Sequence, residues 1–212
     1  MARMTAGGVV TGGFEAVEIA GGPAAARPET AMFRRRSGQP SRRAVLHVQA
    51  AGDPAVPADL GAWYTERAFH FYLAGLRLPA QAPVGARPEA RYLAAAFADV
   101  DAACAHLRQA DGMASVMVSA QGRGAIAAAL WTARTSAADA LILLAPQLPA
   151  GTSLSLEIGC PVLVLCDPAA EAARPASRGW PVRRRTALAD RAGLQLGGHV
   201  TWLRLPAEPA SS

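Results

Sequence analysis

The chain has 212 residues, 51% of them hydrophobic and 17% charged, enough for one substantial core and too few to favour two. No uninterrupted run of 18 apolar residues occurs, and Met1 to Gly13 lacks the basic-then-apolar layout of a secretory leader, so a soluble, cytoplasmic protein with no membrane partner is expected. The net charge of +5 arises from 21 basic residues that are all arginine, which, beside abundant alanine, reads as high-GC coding bias; the clusters Arg34-Arg35-Arg36, Arg42-Arg43 and Arg183-Arg184-Arg185 are short and free of interleaved aromatics, so no nucleic-acid partner is indicated.

Short β-rich runs alternate with longer helical patterns, which predicts an α/β fold with a mainly parallel sheet covered on both faces. The first strands are expected at Phe14 to Ile19 and Thr30 to Arg35, separated by the Gly/Pro/Ala loop Gly21 to Pro28. Ala44 to Gln49 is a near-continuous apolar run suited to a buried strand. Leu60, Trp63, Tyr64 and Arg67 recur at helical spacing, which predicts a helix over Ala58 to Ala68, followed by a strand from Phe69 to Leu73. After the loop Gln81 to Pro88, a long alanine-rich helix runs to Gln109 and the strand Ser115 to Ser119 follows. A turn leads into a helix over Arg123 to Thr135, then strands at Ala140 to Leu144 and Pro161 to Cys166, a surface loop from Pro168 to Pro181, a helix over Thr186 to Leu196 and a last strand over Val200 to Leu205.

The three cysteines, Cys104, Cys160 and Cys166, are odd in number and form no CxxC pair. They suggest neither a disulfide framework nor a metal site, and they read as small buried hydrophobes. No cofactor is expected.

The stretch Val116 to Trp131, VMVSAQGRGAIAAALW, carries a strand into a helix across a turn flanked by small residues. It resembles the nucleophile elbow of α/β-hydrolases, whose pattern is G-x-S-x-G. The elbow strains its central residue and brings strand and helix so close that the positions two before and two after must be small. Here they are Ala120 and Gly124, and the centre is Gly122 where the family has serine.

Arg42 to Asp53 (RRAVLHVQAAGD) is similar to the family's third strand and following loop, and Trp63 to Arg77 to its next helix and fourth strand. ADALILLAP, CPVLVLCD and GGHVTWLRLP resemble strands six, seven and eight, so the likeness extends from Phe14 to Pro206. It implies a single α/β-hydrolase-like domain with an eight-stranded sheet, nearest the lipase or serine-aminopeptidase branch. Because Pro146 lies so close to Pro161, it also implies that the cap domain of such relatives is absent.

The resemblance further implies a degenerate triad. Gly122 has no nucleophilic group, and beyond Leu205 only PAEPASS remains, with no histidine where the family's base would lie. His199 stands at the opposite end of the last strand, roughly 20 Å away at about 3.3 Å per residue. His47, His70 and His106 are expected in structural or surface roles. Arg185 stands about where the family often has its acid, which leaves Asp167 and Asp190 as acid candidates. Gln49 and Ala50 replace the His-Gly pair after strand three, and the amides of Ala51 and Arg123 are the expected oxyanion donors. The vestigial pocket is therefore expected at Gln49, Ala51, Gln121, Gly122, Arg123 and Asp167.

Three functions follow as alternatives. The first is a non-catalytic binding or scaffold protein for a small molecule or protein partner, with pairing of two chains left open. The second is a non-hydrolytic enzyme on the hydrolase scaffold, an epimerase, cyclase or lyase. The third is a residual esterase or peptidase using another nucleophile such as Ser119 or Cys166.

Overall fold

The computed structural model describes residues 13–19, 32–51, 53, 56, 58–78, 90–147, 154–166 and 194–204. Among these residues, eight strands and three helices follow one another as β1 (Glu15–Val17), β2 (Met32–Arg35), β3 (Arg43–Ala50), α1 (Ala58–Glu66), β4 (His70–Leu76), α2 (Ala90–Gln109), β5 (Ser115–Gln121), α3 (Gly122–Thr135), β6 (Ala140–Leu144), β7 (Leu154–Cys166) and β8 (Leu194–Arg204). The strands form one sheet in the order β1-β2-β4-β3-β5-β6-β7-β8. The pairs β1–β2 and β2–β4 are antiparallel and every later pair is parallel.

Strand β3 is buried almost throughout, as an interior parallel strand covered on both faces should be. Its side chains alternate between two apolar clusters. Val45 joins Phe14, Phe33, Tyr64 and Phe71 under α1. Leu46 and Val48 face the larger cluster, where Ala96, Val100, Ala103 and Leu107 form one buried stripe of α2 at helical spacing. Helix α3 joins this second layer through Ala125, Ala127, Ala128, Ala129 and Trp131, and its small residues let it lie close to the sheet. Asp101 accepts a hydrogen bond from Trp131 Nε1 at 2.7 Å and ties α2 to α3.

The expected strands and helices recur with shifted ends. Helix α1 stops at Glu66 because Ala68 takes φ +59, and the amide of Phe69 then donates to the Tyr64 carbonyl. Strands β4 and β5 run three and two residues past their expected ends, to Leu76 and Gln121. Strand β7 begins at Leu154, well before Pro161, and pairs first through Leu154–Ile158 and again from Val162 after an irregularity. The helix expected over Thr186 to Leu196 is corrected at its end: Leu194–Leu196 belong to β8, paired with Leu154–Leu156, and the remainder lies outside the described residues. The loops Gly21 to Pro28, Gln81 to Pro88 and Pro168 to Pro181 also lie outside them. The connection from β6 to β7, where a cap would be inserted, spans only residues 145–153.

Candidate functional site

Parallel strands end together along one edge of the sheet, and the turn from β5 into α3 sits on that edge. Gln121 is the N-cap of α3, with extended φ −122° and ψ 153°, and its side chain makes no capping bond. Gly122 follows at φ +57°, in the left-handed region where glycine alone is unstrained. Its carbonyl accepts from the amide of Gln147, in the segment after β6.

The cap comes from Asp53, seventy residues away in sequence. Its Oδ1 accepts from the amide of Arg123 at 3.1 Å, and its Oδ2 accepts from the amides of Gly124 at 3.0 Å and Ala50 at 3.0 Å. Asp53 is itself held by a turn at the end of β3, its amide donating to the Ala50 carbonyl at 3.1 Å. A helix N-terminus presents unpaired amides and a positive dipole end, so a carboxylate there is stabilised by both. The space is fully taken. A Cβ on Gly122 would lie 2.8 Å from Asp53 Oδ1, and one on Gly124 would lie 3.0 Å from Asp53 Oδ2 and 3.3 Å from the Val48 carbonyl oxygen.

The expected pocket residues are thus only partly brought together. Gln121, Gly122 and Arg123 form the turn, and the Arg123 amide points to the anion position. The second donor is the amide of Ala50, not that of Ala51, which sits exposed in the turn beyond β3. Gln49 reaches the Asp53 carbonyl through Nε2 at 3.4 Å. Asp167 and Asp190 lie outside the described residues. Asp53 itself was not anticipated. The signal was present in Gly52-Asp53 after a buried strand, since aspartate is among the preferred helix caps, but local spacing does not reveal a cap for a helix so distant.

None of the four histidines stands beside the elbow. His70 opens β4 at the opposite edge, with Nδ1 accepting from the Ser37 amide at 3.2 Å and Nε2 against the Ser41 carbonyl at 3.1 Å. His106 lies on α2, with Nε2 3.6 Å from Asp111. His199 is exposed on β8, five residues before that strand ends.

His47 is fully buried in β3, where Nδ1 meets Ser119 Oγ at 3.2 Å across the β3–β5 pairing. Burial pushes its pKa down to about 4, so the imidazole is neutral near pH 7. Serine beside histidine has the right residue types for nucleophilic chemistry, yet both side chains are sealed inside the sheet and not placed at the strand ends. The thiol of Cys104 is pushed up to about 12 by burial, which leaves it inert. Cys166 ends β7, and its side chain lies outside the described residues.

One further concavity, of about 650 Å³, lies on the α1 side of the sheet over β5 to β8, lined by Met117, Ile142, Leu163, His199 and Thr201. Its lining includes no residue of the elbow turn. Among the described residues no cluster of three or more metal-ligating side chains occurs, and no helix is long and apolar enough to cross a membrane.

No family model matches the sequence, and no curated protein matches it either. Among solved structures, TT1662 from Thermus thermophilus superposes with a TM-score of 0.54 at 15% identity, over 73% of this chain and 74% of that one. The chain has the α/β-hydrolase fold. Esterase 2 of Thermogutta terrifontis is also similar, at 14% identity over 82% of this chain and 77% of its own, with a TM-score of 0.46. The α/β hydrolase GrgF from Penicillium matches over 55% of this chain and 41% of its own, at 14% identity and a TM-score of 0.43. At such identities the α/β-hydrolase likeness speaks of architecture alone, and chemistry must be argued from the elbow.

Proposed function

We propose that this α/β-hydrolase-fold protein is a non-hydrolytic binding or scaffold protein of the cytoplasm. The observation that carries the reading is the Asp53 carboxylate seated on the amides of Ala50, Arg123 and Gly124. Acyl transfer on this scaffold needs a nucleophile at the elbow, a base to take its proton, and amide donors free to meet the oxyanion that develops. Here residue 122 offers no side chain, and the donors are already committed to an anion. A negative charge forming at that point would also meet a carboxylate at close range, which raises the barrier instead of lowering it. With no histidine beside the turn, a nucleophile from elsewhere would still lack a base.

Incubation of the full chain with a fluorophosphonate probe and with p-nitrophenyl acetate tests the reading. No covalent adduct and no turnover above buffer are expected; stoichiometric labelling would overturn it. The binding side is tested by affinity capture on the immobilised chain, with titration calorimetry of whatever is captured, and a saturable one-to-one isotherm is expected.

A further inference from the structure

In sequence the arginine clusters carry no interleaved aromatics, but the fold supplies aromatics from elsewhere. At the end of the sheet opposite the elbow, helix α1 ends against the turn that leads into β3. Ser37 Oγ donates there to the Thr65 carbonyl at 2.9 Å, and Ser41 Oγ donates to the Ala68 carbonyl. Arg67 lies over the Trp63 ring, 4.1 Å from its centroid, and its Nη1 donates to the Trp63 carbonyl at 3.0 Å. Arg43 lies over the Phe69 ring at 4.4 Å, and its Nη2 donates to the Arg67 carbonyl at 3.2 Å. That last bond links two guanidinium–aromatic stacks into one surface. Arg42, the next residue in the chain, extends the positive rim, with Nε donating to the Gly112 carbonyl at 2.9 Å.

Little within the described residues neutralises these charges. Arg42 and Arg43 donate to backbone carbonyls, not to carboxylates, and Arg67 meets only the exposed Glu66, at 3.8 Å. An exposed pair of that length contributes little. The Arg67 side chain is itself half exposed, and Trp63, at 49%, is the one large hydrophobic side chain that stands exposed among the described residues. Guanidinium planes already held on rings lose little freedom when they meet an anion, and guanidinium planes also stack on nucleobases.

We infer that the surface formed by Arg42, Arg43, Trp63 and Arg67 binds a single-stranded nucleic acid, with bases stacking on Trp63 and Arg67 and phosphates meeting Arg42 and Arg43. The chemistry selects this partner over other acidic ones. An acidic protein or an anionic membrane needs a broad apolar patch beside the charge, and among the described residues Trp63 is the one large apolar side chain exposed. A single strand needs isolated stacking faces with cations around them, which is the arrangement present. A duplex keeps its base faces stacked on one another and offers none to Trp63. This inference goes beyond the reading of the elbow and holds whether or not that turn binds anything.

The test is fluorescence anisotropy of labelled oligothymidylate and oligouridylate titrated with the full chain across a salt series. Binding to either oligomer supports the inference, and the tighter of the two identifies the preferred sugar. The affinity should fall with salt at a log–log slope of about −2, from three guanidiniums at about 0.7 each. Trp63→Ala keeps every charge and should weaken binding about fivefold or more with the slope unchanged. Arg43→Gln should make the slope shallower by about 0.7. Arg134→Gln removes a guanidinium stacked 4.9 Å from the Phe97 centroid, between α3 and α2, and as a control of equal charge it should leave affinity and slope unchanged. Thermal melts establish that each variant is folded. No binding to either oligomer at low salt would overturn the inference. So would displacement by polyglutamate as effective as by unlabelled oligomer, binding to anionic phospholipid vesicles in place of the oligomers, or equal losses in the Arg43 and Arg134 variants.

Discussion

The Asp53 carboxylate occupies the point toward which a side chain on residue 122 would project: a Cβ there would stand 2.8 Å from Oδ1 and 3.3 Å from Cγ. Glycine at the elbow and aspartate at the end of β3 are therefore one feature. Removing the side chain at 122 makes room for the carboxylate, and the carboxylate satisfies amides that a hydrolase keeps open.

Restoring serine should accordingly fail. Gly122→Ser puts an L side chain at φ +57° and drives it into Asp53, costing about 2 kcal/mol or more in a urea titration. No esterase activity should appear. In the double variant Gly122→Ser with Asp53→Gly the overlap is gone, so the two losses should be clearly less than additive. Strict additivity would mean that the two groups do not compete for one space.

Asp53→Ala leaves the amides of Ala50, Arg123 and Gly124 without their acceptor at the start of α3. Loss of a helix cap together with a part-buried unsatisfied donor costs about 1–3 kcal/mol. Asp53→Asn keeps one acceptor oxygen and should recover part of that. Equal destabilisation by alanine and asparagine would assign the effect to charge alone, contrary to the capping geometry.

What could be read in advance divides along physical lines. The elbow was legible because its requirement is local: Ala120, Gly122 and Gly124 must all be small for β5 and α3 to approach. Strand β6 was placed at Ala140–Leu144 because it is a short apolar run between polar breaks. The first part of β7 was not, since Leu154–Cys160 alternates apolar residues with exposed polar ones and runs through Gly159 into Pro161, which local signals treat as loop. Leu194–Leu196 close a stretch whose sequence pattern reads as helix, but they are drawn into β8 by pairing with Leu154–Leu156, a tertiary choice no local propensity encodes. Asp53 was missed for the same reason, its three partners lying partly seventy residues away.

Gly198 is a second position where backbone decides the residue. At φ +104°, a Cβ there would stand 2.3 Å from the Ile158 carbonyl oxygen, so alanine must push β8 away from β7. Gly198→Ala should cost ~3 kcal/mol in strain and lost pairing. Gly112 separates conformation from contact: its φ is +66° but nothing lies within 4 Å of its missing Cβ, and Gly112→Ala should cost only about 1–2 kcal/mol. Thermal melts of the two variants side by side would decide the matter, and equal shifts would remove the steric component.

His47 makes the fold sensitive to acid. In the folded chain its pKa is pushed down to about 4 by burial, against 6.5 for an exposed imidazole, so between those values the unfolded chain binds a proton that the folded chain refuses. Stability is therefore at its full value above about pH 6.5 and declines as pH falls toward 4, by about 3 kcal/mol for the whole span. Asp111 adds a loss of its own at lower pH. Burial works against its ionisation, but hydrogen bonds from Tyr72 and Arg34 outweigh this and hold its carboxyl below the usual range. His47→Leu cannot take up the proton, and it also removes the buried Nε2 that lacks a partner. Urea titrations at pH 7 and pH 4.5 should show a markedly smaller difference for His47→Leu than for the natural chain. Parallel pH dependence in both would mean that His47 is not the group whose protonation opens the sheet.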